Sequence, residues 1–305
     1  MSLGLHLAVL AVLAGLQFVL PAFHQGMLAR IMVMAAYATG YNLLLGYTGL
    51  MSLGHAMLFA TGMYATGLSL LHLEAGALGA LAAGVAASAV VSALVGLVAL
   101  RTSGPSFLIV TMMLSQAFFL SALHFNELTQ GDQGFIVSGF LPVAFAAPSV
   151  KYNLAFLVFA PCLLLSLALV RSPVGRVLVA LRENEERTRL LGYNTFLYKL
   201  AALVVSGTMA GVAGSAYTLV FSYAGASFAG ILYSIYPLLW TLLGGAGTLL
   251  GPLVGTLVMT YVVDVASGLT TAYLLVVGGA LVLVVLVAPA GIMGAVRARW
   301  APWLP

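Results

Sequence analysis

The stretch "GYTGLMSLGHAMLFATGMYATGLSLL", residues 46–71, sets five glycines, three threonines, two serines and a histidine among residues otherwise suited to a membrane-spanning helix. In lipid an unpaired backbone N–H or C=O is costly, so irregular backbone persists only inside protein or beside water. A helix interrupted in this way points to a lined path rather than to a plain span.

The rest of the chain agrees with a membrane setting. Of 305 residues, 63% are hydrophobic and only 6% are charged, against about a quarter charged in soluble domains. Apolar runs of spanning length recur at about 5–22, 27–47, 50–72, 76–100, 105–125, 152–170, 199–222, 232–250, 253–267 and 270–289. They predict an all-α polytopic membrane protein of 8–10 transmembrane helices, some of them broken or half-length, built as one transmembrane unit over 1–305. The opening "MSLGLHLAVLAVLAGLQFVLPAF" has no basic leading region and reads as a retained span. The net charge of +4 implies no nucleic acid, because in a membrane protein the placement of Lys and Arg relative to the spans is what matters. If all ten runs cross and the C-terminus is cytoplasmic, Arg101, Arg171, Arg176, Arg182, Arg187, Arg189, Lys199, Arg297 and Arg299 share the cytoplasmic side. Arg30, Lys151, Glu74, Glu127 and Asp132 then lie outside. The lone Cys162 rules out a disulfide or a Cys-based metal site within the chain.

Two polar connections interrupt the spans. The outer one, "NELTQGDQGFIVSGFLPVAFAAPSVKY", has the Gly, Pro and Ser content of an irregular loop that could meet an extracytoplasmic partner. The inner one, "RSPVGRVLVALRENEERTRLLGYNTFLYK" (171–199), has a Ser-Pro start, a helical apolar period and a stop at Gly192. It predicts a short surface helix and a turn, with Glu183 to Arg187 and Glu185 to Arg189 as i,i+4 pairs. Spacing alone fits either a solvated connector or a docking segment.

Taken in order, "YNLLLGYTGLMSLGHAMLFATGMYATG", "RTSGPSFLIVTMMLSQAFF", "LTQGDQGF", the 172–217 segment beginning "SPVGRVLVALRENEERTRLLG", "LLGGAGTLLGPLVGT" and "APAGIMG" resemble the branched-chain amino acid permease family of bacterial ABC importers. The likeness covers residues 41–294 and is nearest to the permease type that pairs with a second related permease as a heterodimer. It implies that 171–199 is a cytoplasmic coupling segment, with Arg182, Glu183, Glu185, Glu186, Arg187 and Gly192 facing ATP-hydrolysing partners. Importer permeases carry Glu-Ala-Ala with Gly six residues after the Glu; Glu186 and Gly192 keep that spacing, while Arg187 and Thr188 replace the alanines. The segment "SYAGASFAGILYSIYPLLW" also departs from the family form, which often has a proline near Ala226. The implied partners are two ATP-binding subunits, a second permease and a periplasmic solute-binding protein, in a bacterial inner membrane.

Neither lysine lies in a G-x-x-x-x-G-K-[ST] loop, so no cofactor is expected in this chain, and ATP and Mg are expected on the partner subunits. No H-E-x-x-H and no nucleophile elbow occur, so the chain reads as a permease and not an enzyme. Asp264, the one acid in a span-like run, reads as an interfacial residue at an outer end, with a proton-relay role as the other reading.

Small residues at every fourth position form packing ridges: Gly76, Ala80, Gly84, Ser88, Ser92 and Gly96; Gly207, Gly211 and Ser215; and Gly247, Gly251 and Gly255. They predict close helix pairs within the chain, or else a permease–permease contact. Transporter sites often lie on broken helices at matching positions of two internal repeats. "GLMSLGH" (49–55) and "GTLLGP" (247–252) are such a pair, so Thr48, Ser52, Gly54, His55, Gly245, Gly247 and Gly251 are the candidate pathway residues. His55 reads either as a pathway group or as a satisfied packing histidine. The function expected is the translocation pathway of an importer for branched-chain amino acids or a related small polar solute, with metal in no role. A stand-alone ion- or proton-coupled transporter is the alternative, and it would need the paired intramembrane acids that are absent from the spans.

Overall fold

Glycine or proline marks most of the described helix starts. The computed structural model describes residues 2–73, 76–272 and 288–299, with positions 275, 278, 279, 282 and 286 besides. Helix α1 is Ser2–Leu16, and an extended Pro21 opens α2, Ala22–Asn42. Next come α3 (His55–His72), α4 (Ala77–Ala99), α5 (Pro105–His124), the single turn α6 (Asn126–Thr129) and α7 (Pro148–Arg171). After them run α8 (Pro173–Glu183), α9 (Glu185–Leu190), α10 (Thr195–Phe221), α11 (Ile231–Gly244), α12 (Gly251–Leu269) and α13 (Gly291–Arg299). Proline occupies the first turn of α5, α7, α8 and α12, where its missing N–H is one the helix could not pair anyway.

Among the described residues six helical segments are long and apolar enough to cross a membrane: Ala22–Tyr47, α4, α5, α7, α10 and α12. α3 adds 18 residues, and α1 and α11 are shorter apolar helices. This is an all-α, multi-pass membrane protein. Half of the last apolar run of the sequence, 270–289, lies outside the described residues, and Glu74 lies outside them as well.

α2 is the axis of the bundle. From Leu28 to Asn42 every residue but Arg30 is buried, against α7, α10, α11 and α12. The small-residue ridges are spent inside the chain. Ala80, Gly84, Ser88, Ser92 and Gly96 supply most of the buried face of α4. A Cβ on Gly211 would run into Ser88, and one on Gly207 into Ser92. Ser88 and Ser92 donate back to carbonyls of their own helix, to Gly84 O at 2.7 Å and to Ser88 O at 2.5 Å. Their polarity is thereby met locally, leaving α10 free to approach closely. The ridge in α12 works likewise, with Gly255 against the Trp240 carbonyl of α11.

At one end of the bundle, β1 (Phe135–Ile136) pairs antiparallel with β2 (Tyr223–Ala224), tying the long 126–147 connection to the exit of α10. At the other end the 171–199 connection is two helices rather than one. Ser172 caps α8 by accepting from Gly175 N at 3.3 Å, and Val177, Leu178 and Leu181 seat its apolar face on Leu44, Ala202 and Leu203. The chain then breaks at Asn184, whose extended backbone (φ −160°) and side chain, accepting from Arg187 N at 2.8 Å, start α9. The expected Glu183–Arg187 pair therefore straddles a helix boundary. Glu185 instead forms an ion pair with Lys199, the only one among the described residues.

Candidate functional site

The first break begins inside the bundle. Beyond Asn42, α2 loosens into a π turn, Leu43–Tyr47, and the chain runs irregularly to Gly54 before α3 starts at His55. Gly49, at φ +76°, makes the reversal, and the Leu50 N–H then closes on Leu44 O at 3.1 Å. The polar residues of the stretch meet the freed backbone. Thr48 Oγ1 donates to Leu43 O at 3.0 Å, Ser52 Oγ accepts from Gly54 N at 3.1 Å, and Tyr41 OH donates to Ser52 O at 3.0 Å.

The second break separates α11 from α12. Gly245 (φ +116°) and Gly247 (φ +75°) both take left-handed backbone, and Thr248 Oγ1 donates to Gly245 O at 2.7 Å. Gly251 lies so close to Gly245 and Thr248 that it has no room for a side chain.

The two breaks meet. Asn42, buried at the end of α2, donates through Nδ2 to Thr248 O and accepts at Oδ1 from Gly247 N, both at 2.9 Å. Gly46 lies against Gly247 with no space between them for a Cβ. Arg182 of α8 completes the junction: its Nη1 donates to Gly46 O, and its stem packs on Gly49, where an added Cβ would sit 2.8 Å from Cγ. A Cβ on Gly247 would be 3.2 Å from the same Nη1. One arginine of the connecting segment thus touches both interrupted helices.

His55 is fully buried. Ser206 Oγ donates to Gly40 O at 2.6 Å, so the 2.8 Å contact with His55 Nε2 is one in which the imidazole N–H donates and the hydroxyl accepts. The Tyr41 ring meets His55 edge-on at 4.8 Å, and among the described residues Nδ1 has no hydrogen-bond partner. Ala56 N, exposed by the helix start, donates to Ser234 Oγ of α11 at 3.0 Å. At Gly54 a Cβ would lie 2.8 Å from Thr111 O of α5. Ser52, Gly54 and His55 are therefore built into the wall joining α2, α3, α5, α10 and α11.

Of the residues expected to act in coupling, Arg182 alone reaches the breaks. Glu183, Glu186 and Arg187 are exposed, and Gly192, at φ +90° with open space around it, ends the α9 turn. Beside the second break a cavity of about 260 Å³ is lined by Ala246, Thr248, Pro289, Ala290 and Arg297. Among the described residues no three His, Cys, Asp or Glu side chains come together as metal ligands would. Asp264 lies exposed near the end of α12, away from these groups. Sequence reasoning missed Asn42 and Ser206; the available signal for the first was an amide standing alone in the apolar run 27–47.

Residues 24–286 match the family described as branched-chain amino acid transport system / permease component. The chain is 25% identical over 293 residues to the high-affinity branched-chain amino acid transport system permease protein LivM of Salmonella typhimurium, covering 87% of this chain and 69% of that one. It is also 25% identical over 287 residues to the corresponding permease protein LivH of Escherichia coli, covering 85% of this chain and 91% of that one. A probable LivM of Methanocaldococcus jannaschii is 30% identical over 90 residues, 29% of this chain and 26% of that one. No solved structure matches the chain.

Proposed function

Because the chain belongs to the branched-chain amino acid permease family, we propose that it forms the membrane pathway of an ABC importer for branched-chain amino acids or a closely related small solute. It works beside a second related permease, two ATP-binding subunits that hold ATP and Mg, and a solute-binding protein on the far side of the membrane. The end bearing α8, α9 and α13 faces the cytoplasm, in keeping with its arginines. Residues 1–305 act as one transmembrane unit of the inner membrane, with 171–199 as the coupling segment.

The observation that carries this reading is the bond from Arg182 to Gly46 at the junction of the two breaks. α8 is a short amphipathic lever seated on Leu44, and its arginine holds the irregular backbone of one interrupted helix against the other. A push on the exposed acids of α9 reaches that junction through one rigid turn. The breaks are hinges of an inner gate: Thr48, Ser52, Gly54 and His55 on one side, Gly245, Gly247 and Gly251 on the other. Buried as they are, they hold the gate shut.

Reconstitution tests it. In liposomes the chain alone is expected neither to hydrolyse ATP nor to accumulate leucine, whereas the complex with its companion subunits does both. The Arg182→Ala complex is expected to keep ATP hydrolysis and lose uptake. Gradient-driven accumulation by the chain alone would overturn the importer reading in favour of a secondary transporter.

A further inference from the structure

The cavity beside the second break has no part in the gate described above. Leu242, Ala246 and Thr248 line it from the end of α11 and the break, and Pro289, Ala290 and Arg297 line it from the α13 side. Among the described residues Arg297 is the one charged group in the lining, and it has neither a carboxylate partner nor a hydrogen bond. The Thr248 hydroxyl already donates to Gly245 O, so it has no proton left to offer a ligand. The other walls are aliphatic, and Leu242 is 39% exposed.

The cavity thus offers an anion one fork of guanidinium donors and otherwise offers apolar surface. A bare anion gains nothing from aliphatic walls that cannot replace its water. A phosphate carrying its own hydrocarbon suits both parts, its oxygens on the paired N–H groups of arginine and its carbons on Leu242, Ala246 and Pro289. The position agrees. α13 follows the apolar run 270–289 and lies at the end of the bundle where most of the arginines gather. Acidic lipids enrich the cytoplasmic leaflet, and basic pockets between helices on that side take their headgroups.

The cavity also bears on the break itself. Gly291, at φ +73°, lies against Gly245 with no room for a Cβ, and a Cβ on Gly245 would sit 2.8 Å from Gly294 N. Whatever holds Arg297 therefore holds α13 against the backbone of the second interrupted helix.

We propose that this cavity binds the phosphate of an acidic phospholipid of the inner leaflet through Arg297, and that the occupied site steadies the second break. The proposal goes beyond the importer reading and takes from it only the cytoplasmic orientation of this end.

The test uses the assembled complex, titrated with phosphatidylglycerol or phosphatidylcholine and followed by native mass spectrometry. Arg297→Gln should bind phosphatidylglycerol about tenfold or more weakly at one site, the scale of losing a hydrogen bond to a charged group, with no change for phosphatidylcholine. Arg299→Gln, which removes an equal charge outside the cavity, should bind as wild type does. Ala246→Leu, which fills the cavity and leaves Arg297 in place, should lose the site, and it carries the test if the Arg297 variant does not assemble. In nanodiscs, phosphatidylglycerol should slow amide exchange across 245–250 in wild type and not in Arg297→Gln, and inorganic phosphate in phosphatidylcholine discs should not reproduce the slowing. Equal binding by wild type and Arg297→Gln, or an equal loss in Arg299→Gln, would overturn the site in favour of diffuse attraction. Slowing by inorganic phosphate would overturn the lipid as its source, and unchanged exchange with lipid bound would overturn the effect on the break. These readouts need no transport, so a failure of leucine uptake counts against the importer reading alone.

Discussion

Asn42 holds two backbone groups of the second break with a single side chain. Asn42→Leu keeps the volume and orphans Gly247 N and Thr248 O, at about 1–3 kcal/mol for each buried group left unpaired. The purified complex is expected to melt measurably lower, and an unchanged melting temperature would show that the breaks do not need the clasp. Gly54 is expected to behave differently from a lumen residue. Because a Cβ there meets the Thr111 carbonyl at 2.8 Å, Gly54→Leu should reduce the yield of folded protein before any effect on passage is seen. A well-assembled, transport-dead variant would instead place Gly54 on the path. Both glycine breaks were legible in the sequence, since glycines crowded into an apolar run weaken a continuous helix there. Their contact was not, because Asn42 and Gly247 are 205 residues apart and no local pattern connects them.

At the scale of helices, the 171–199 connection shows where periodicity misleads. The apolar spacing of 173–190 is continuous enough to read as one surface helix, yet Asn184 satisfies a helix start better than a helix interior, and its cap divides the segment. Asn184→Ala is expected to cost α9 about 1 kcal/mol, seen as faster amide exchange across 185–190 with α8 unaffected. Gly192 has φ +90° and open space around it, so Gly192→Val tests conformation alone. Transport should fall while membrane insertion persists, and the charge reversal Glu186→Lys should act in the same direction through the ATPase contact. Normal uptake and normal ATPase stimulation in both would leave α9 a solvated connector. The Glu185–Lys199 pair is partly exposed and adds little to stability; its use is to hold α9 over the start of α10.

Across the whole molecule, the small-residue ridges pack α3, α4 and α10 within one chain, which leaves other faces for the proposed partner subunits. Gly211→Leu, which drives a side chain into Ser88, should therefore lower the thermal stability of the chain purified alone, and not only its pairing. An isolated chain as stable as wild type, coupled with loss of the permease pair, would reassign that ridge to the subunit interface. The most deeply enclosed of the long helices is also the least apolar of them: the segment Ala22–Tyr47 carries Arg30, Asn42 and a π turn, while the outer helices α4 and α7 are far richer in aliphatic side chains. Its packing partners α7 and α10 are synthesised more than a hundred residues later. During biogenesis this segment must enter the bilayer before the walls that will surround it exist. An insertion assay on chains truncated after residue 73 should find it partitioning poorly and remaining accessible at the translocon, with commitment to the membrane only once α7 and α10 have emerged.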